Sequence, residues 1–266
     1  MTIVAEGPVQ RDSLPPVPED VVLVLDGSSG DRRPTGVALR LAERFSVPLR
    51  LRASGPVDAT LLVRELRGGH PSIPSITIDD PDQMIDTRDS AVCAAATVTT
   101  DGRPSVSPPA VADLLAHTPA SVVLSGNAVD ERRTDGPLVI GLDGSHRAQG
   151  ALALAGAWAR ALDRALWVIH VRTPDEGATD AGSRAVQHAV DRLRRDGVDA
   201  AWEVVWSPGA VAGLLHAVEV EHAGLLVATT HGRTGLERQV IGGVTAGLLA
   251  ASPVPVLLSR CRDLAA

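Results

Sequence analysis

Thr229-Thr230-His231-Gly232-Arg233-Thr234-Gly235-Leu236-Glu237-Arg238-Gln239-Val240-Ile241-Gly242-Gly243-Val244-Thr245 is the stretch on which the reading of this 266-residue chain turns. An apolar run, 224–228, precedes it and a helix-like run, 245–251, follows. A strand that opens into glycines and then a helix is a local plan by which α/β proteins hold phosphate. Glycine lets the backbone approach the oxygens, and the N-terminal amides of the helix point at the anion. Glycines alone also serve ordinary turns. A second segment upstream supports the first: Val139-Ile140-Gly141-Leu142-Asp143-Gly144-Ser145 reads as a buried strand that delivers one acidic residue into a tight turn.

Working outward, the chain repeats itself. Leu25-Asp26-Gly27-Ser28 recurs as Leu142-Asp143-Gly144-Ser145, and Ser107-Pro108-Pro109-Ala110-Val111 recurs as Ser207-Pro208-Gly209-Ala210-Val211. Two matches in the same order imply two copies of one unit. Each Ser-Pro pair also reads as a helix start, serine as N-cap and proline at the first helical position. In the second copy, strands at 138–142, 165–171, 201–206, 224–228 and 254–258 alternate with four helices. The first of these, 147–162, buries Ala151, Leu154, Ala155, Trp158 and Leu162 on one face. Such alternation predicts an α/β fold, a Rossmann-like open parallel sheet with helices on both faces, present twice in tandem.

The first copy reads as damaged. Strands at 21–25 and 47–51 flank a helix through 37–45, and a segment rich in Pro, Gly and Asp, near 53–83, reads as an insertion holding one short helix and one strand. The repeat resumes at Ser107 and ends on a strand at 120–124. The glycine loop, fourth helix and fifth strand have no counterpart, so the first domain reads as truncated and Asp26 as a structural turn acid. The expected organisation is an N-terminal extension 1–20, a degenerate domain 21–134 and an intact domain 137–260.

Composition closes off several function classes. A hydrophobic content of 44% supports a buried core. The net charge of −7 and the lack of a basic stripe argue against nucleic acid. Every one of the 25 basic residues is arginine, which excludes a P-loop lysine, a Schiff base and a lysine general base. Cys93 and Cys261 give neither zinc spacing nor a disulfide framework. There is no signal-peptide pattern in the first twenty residues and no apolar run long enough to span a membrane, so the expected compartment is the cytoplasm. His170, His216, His222 and His231 lack a paired nucleophile, and no carboxylate pair stands out, so the chain does not read as an enzyme. The four tryptophans, Trp158, Trp167, Trp202 and Trp206, read as packing residues.

The strand aspartate and the glycine segment together resemble the universal stress protein family. The family's nucleotide signature is Gly, two residues, Gly, nine residues, Gly, then Ser or Thr. Here Gly232 and Gly242 keep the nine-residue spacing, Thr229 stands in the first glycine position and Gly243 in the Ser/Thr position, and Val244 and Thr245 continue the match. The resemblance implies a strand order of 3-2-1-4-5 and an adenine nucleotide, ATP or else ADP or AMP, accompanied by Mg. It assigns Asp143 to the ribose or adenine edge, the Val171 backbone to adenine, and the amides of Gly232, Gly242, Gly243 and Val244, with the Thr245 hydroxyl, to phosphate. His231 and Arg233 stand beside the loop as either extra charge or solvated residues. The departures carry a cost. The hydroxyl missing at Gly243 is worth about 0.5–1.5 kcal/mol, and a left-handed backbone at Thr229 would cost roughly 1–2 kcal/mol. Together these weaken binding by about one to two decades.

The function this implies is a regulatory stress-response protein whose second domain binds the nucleotide, with at most slow ATP hydrolysis. The alternative is a dimeric interaction module of the same family that has lost the nucleotide. In family members the last strand pairs across a two-fold axis. Because the first half offers no fifth strand, residues 254–258 are expected to join two copies of the chain as a homodimer.

Overall fold

The computed structural model describes residues 17–25, 33–53, 58–80, 87, 89–99, 105–118, 120–142, 146–174, 181–230 and 241–260. In the first half, β1 (Asp20–Leu25), α1 (Arg33–Phe45), β2 (Leu49–Ala53), α2 (Ala59–Gly69), β3 (Ile76–Ile78) and β4 (Ser90–Ala95) are followed by a short hairpin, β5 (Thr97–Thr99) and β6 (Ser105–Ser107). Then come α3 (Pro109–His117) and β7 (Ser121–Ser125). In the second half, β8 (Leu138–Gly141), α4 (His146–Ala161), β9 (Leu166–Arg172), α5 (Ala181–Arg195), β10 (Ala200–Trp206), α6 (Ala210–Val220), β11 (Leu225–Thr230), α7 (Gly243–Ala251) and β12 (Val256–Arg260) alternate without interruption.

Ten strands form one sheet in the order β10-β9-β8-β11-β12-β7-β4-β1-β2-β3. The second half therefore has the expected order 3-2-1-4-5, and so does the first, as β3-β2-β1-β4-β7. This corrects three sequence expectations. Residues 53–83 are not an insertion: α2 and β3 occupy the places that α5 and β10 hold in the second half. The first half is not short of a fifth strand, because β7 is that strand. And the Ser107 helix does not match the Ser207 helix. α3 leads into a fifth strand and α6 into a fourth, so the two similar segments are one βα unit out of step. Neither serine caps its helix: Pro108 is the N-cap of α3 and Gly209 that of α6.

What the first half lacks, among the described residues, is a helix between β3 and β4. The strands register the loss. β2 reads Leu49-Arg50-Leu51-Arg52, with Leu49 and Leu51 fully buried against the helices of one face. On the other face Arg50 reaches Asp20 at 2.8 Å and Asp79 at 2.9 Å. Burial lowers the Arg50 guanidinium's pKa, but the two carboxylates more than offset this and leave it above its usual value. A strand covered on one side alternates apolar and charged, whereas a strand covered on both does not. β8, with Leu138, Val139 and Ile140 all at or near zero exposure, is of the second kind.

The halves join through β7 and β12, the one antiparallel pair in the large sheet, with Val256 opposite Leu124, Leu257 opposite Val123 and Leu258 opposite Val122. The edge expected to recruit a second copy of the chain is thus occupied by the chain's own first half. The interface proposed for residues 254–258 is filled from within. Packing follows the seam. One apolar layer unites β1, β2, β8 and β9 beneath α1, α4 and α5. Within it the Phe45 ring meets the Trp158 ring edge-on, centroids 5.2 Å apart. The opposite layer holds α3, α6 and α7. Cys93 is buried, and burial pushes its thiol far up; Cys261 lies outside the described residues.

Close backbone approach fixes one glycine at the seam. A Cβ on Gly126, just past β7, would overlap the Leu249 carbonyl oxygen of α7. Backbone cannot yield as a side-chain tip can, so Gly126→Ala is expected to destabilise by about 2–4 kcal/mol. Gly68→Ala, where a Cβ meets nothing within 4 Å, is expected to be neutral or slightly stabilising, because alanine suits a helix better. Urea denaturation of the two variants checks the contrast.

Candidate functional site

In the second half the chain turns back on itself between β8 and β11. β9 and β10 lie to one side of β8, while β11 and β12 lie to the other. The strands are parallel, so their carboxyl ends meet at one edge, and ligands of open α/β sheets bind at such a reversal. Val171, Leu142 and Thr229 stand at that edge on β9, just past β8, and on β11 respectively. The Leu142 amide donates to the Ile169 carbonyl at 2.9 Å, carrying the pairing one residue beyond β8. Asp143, Gly232, His231 and Arg233 lie outside the described residues, as does Asp26 of the first half.

Thr229 is part of β11, in register with Ser259 of β12. It is not among the residues with a left-handed backbone, which are Ser46, Asp163 and His222 outside glycine. The strain expected of threonine at this position therefore does not arise. Gly242 is the N-cap of α7, no side chain among the described residues caps that end, and no acidic residue occupies the first turn. Gly243 and Val244 are exposed there. A Cβ on Gly243 meets nothing within 4 Å. Thr245 is buried, and its hydroxyl donates to the Thr229 carbonyl at 2.9 Å. The Thr245 hydroxyl is thereby committed to tying α7 to β11, which corrects its expected role as a phosphate donor. The Val171 side chain packs over Gly213 of α6, leaving its backbone at the edge.

His170 is the residue that sequence reasoning passed over. It is buried, and its Nδ1 lies 3.1 Å from the Leu142 carbonyl. A carbonyl only accepts, so Nδ1 carries the proton. The ring also fills the space where a Cβ on Gly182 would go. His170 thus pins the backbone immediately before Asp143. The only sequence signal was its place next to Val171. Trp206 departs from expectation too: 66% exposed, it carries the Arg172 guanidinium 4.5 Å from its ring centroid at the outer end of the same edge. Among the described residues no group of His, Cys, Asp and Glu is arranged to hold a metal, and no helix is long and apolar enough to cross a membrane.

The first half has the same edge but different furniture. Where the second half runs from β11 through glycines to α7, the first runs from β4 through the β5–β6 hairpin to α3. Val98 and Val106 of that hairpin pack into the apolar layer that includes α7.

The model of the universal stress protein family matches residues 136–260. That segment is a universal stress protein domain. Two solved structures match nearly the whole chain in fold. A universal stress protein from Archaeoglobus fulgidus DSM 4304 is 12% identical over 90% of this chain and 96% of its own, with a TM-score of 0.55. A functionally unknown protein from Pseudomonas aeruginosa PAO1 is 18% identical over 91% and 92%, with a TM-score of 0.56. A universal stress protein solved in complex with cAMP is 26% identical over 47% of this chain and 98% of its own, with a TM-score of 0.40. No curated protein matches. The universal stress protein domain thus coincides with the half that carries the glycine segment, and the whole-chain likenesses extend the same α/β fold across both halves.

Proposed function

We propose that the universal stress protein domain binds an adenine nucleotide, ATP or its di- or monophosphate, at the carboxyl ends of β8 and β11, and that occupancy regulates a partner surface in a cytoplasmic stress response. The observation that carries this reading is the amino end of α7. It lies just beyond the glycine segment at the point where strand order reverses, with Gly242 as its N-cap and, among the described residues, no side chain or acid competing for its first-turn amides. These amides fit phosphate oxygens, and the helix dipole favours the negative charge. Magnesium would arrive with the polyphosphate. Asp143 would take the ribose or adenine edge, held in place through the Leu142 carbonyl and His170. The amides of Gly232, Gly242, Gly243 and Val244 would hold phosphate. The output of the site on this reading is a change of occupancy, read by a partner.

Mass spectrometry of the supernatant from denatured purified protein tests for a carried nucleotide. In a thermal scan, ATP at about a hundred times its Kd should add about 2.7 kcal/mol of stability, and Asp143→Ala should remove the shift. Gly243→Ser, which has room for its side chain, should tighten binding by about two- to tenfold through one added hydroxyl. A midpoint indifferent to millimolar ATP with magnesium would instead favour an interaction module that has given up the nucleotide.

A further inference from the structure

One cavity lies away from the β8–β11 edge, against α1. It measures about 490 Å³ and opens between α1, the carboxyl end of α2 and the segment that joins the halves. Arg40 and Arg44, one helical turn apart on α1, line it together with Glu43, His70 and Asp135. Asp135 is the only carboxylate within ion-pair reach of either arginine among the described residues. It is shared three ways: Arg164 at 3.0 Å, Arg44 at 3.3 Å and Arg40 at 3.6 Å. Glu43 is turned to other partners, with the His70 Nδ1 at 2.7 Å and the Ser72 hydroxyl at 3.2 Å.

Three guanidinium groups therefore crowd one carboxylate in a chain whose net charge is −7. Like-charge crowding of this kind is costly unless an anion relieves it. Arg164 registers it: burial lowers its pKa most, Asp135 opposes that, and Arg44 and Arg40 add to the fall. Arginines at i and i+4 project together from a helix, and their planar forks match the oxygens of a phosphate group. The cavity is bounded by the first half and the segment that joins the halves, and its volume exceeds what a bare phosphate needs.

We propose that this cavity is a second ligand site, distinct from the nucleotide edge, which binds a phosphate group carried by a small metabolite through Arg40 and Arg44. Asp135 opposes the ligand and sets its affinity. The proposal does not rest on nucleotide binding in the second half.

Titration calorimetry with inorganic phosphate, in chloride buffer of low ionic strength, tests it. The wild-type protein should bind one phosphate saturably here. The double variant Arg40→Gln, Arg44→Gln should lose at least about tenfold in affinity. Asp135→Asn should move the other way, tightening binding about threefold or more by removing one opposing charge. Asp143→Ala should leave this phosphate affinity unchanged, and the double arginine variant should leave the ATP-induced thermal shift unchanged, so the two sites fail or succeed separately. No saturable binding up to about 20 mM phosphate, equal affinity in the arginine variant, or weaker binding in Asp135→Asn would each overturn the assignment. A phosphate ester of glycerol that binds more tightly than inorganic phosphate would support a metabolite as the source. If it bound no better, that part of the proposal would fall.

Discussion

Deleting residues 1–128 is expected to turn a monomer into a dimer. In the whole chain β12 is paired with β7, and its first three residues, Val256, Leu257 and Leu258, are at most 2% exposed. Without the first half, β12 becomes a bare edge whose backbone donors and acceptors face water, and such an edge recruits another strand. The easiest partner is the same strand from a second fragment, antiparallel across a two-fold axis, which reproduces the geometry that β7 now supplies. Light scattering at tens of micromolar should give a monomer for the whole chain and a dimer for the fragment, with a Kd of about 10 µM or tighter. A fragment that stays monomeric, or a whole chain that dimerises as strongly, would show that the seam is not what satisfies this edge.

Trp158→Ala should be the most damaging single side-chain truncation. Trp158 is fully buried on α4, and its ring takes the edge of Phe45 from the other half. Truncation removes apolar contact from both halves at once and leaves a cavity that the joined sheet cannot collapse, a loss of about 3–5 kcal/mol. For a chain of this size the thermal midpoint should fall by roughly 6–20 °C. Trp158→Phe should cost well under half of that, because the Trp158 Nε1 has no hydrogen-bond partner among the described residues and phenylalanine removes the orphaned donor. A scanning-calorimetry result in which the two variants lose equally would mean that the nitrogen, not the ring, holds the site.

The second half was legible because its strands alternate with helices and its central strands are buried on both faces. Runs such as Leu138-Val139-Ile140 and Leu225-Leu226-Val227 are apolar throughout and bounded by turns, and they fall where expected within two residues. The first half hid its order for physical reasons. β4 is built from Ala91, Val92, Cys93, Ala94 and Ala95, small residues that fit under a tight layer but carry little of the β-branched signal by which strands are recognised. β2 alternates leucine with arginine, as suits a face with no helix over it among the described residues, and β3 is three residues long. The Ser-Pro match misled because it marks the entry to a helix and says nothing of which crossover that helix serves. At the site, the sequence pattern pointed to the edge where strand order reverses, between β8 and β11. What it could not show was where side chains are already committed: the Thr245 hydroxyl to the Thr229 carbonyl, and the His170 ring to Leu142.

The antiparallel seam also sets how the molecule would respond to a changing supply of ligand. Two copies of a universal stress protein domain joined at the last strand make an assembly with two equal pockets, and equal pockets allow the first occupant to alter the second. Here the partner domain is built into the chain, and it has a hairpin where the glycine segment would be. Each sheet then presents a single pocket of the proposed kind, and the dose–response curve must be hyperbolic. Rising from one-tenth to nine-tenths occupancy takes a roughly 80-fold change in ligand, with no steepening available from symmetry. Such a chain is suited to tracking a slowly varying level in proportion, and not to switching sharply at a threshold.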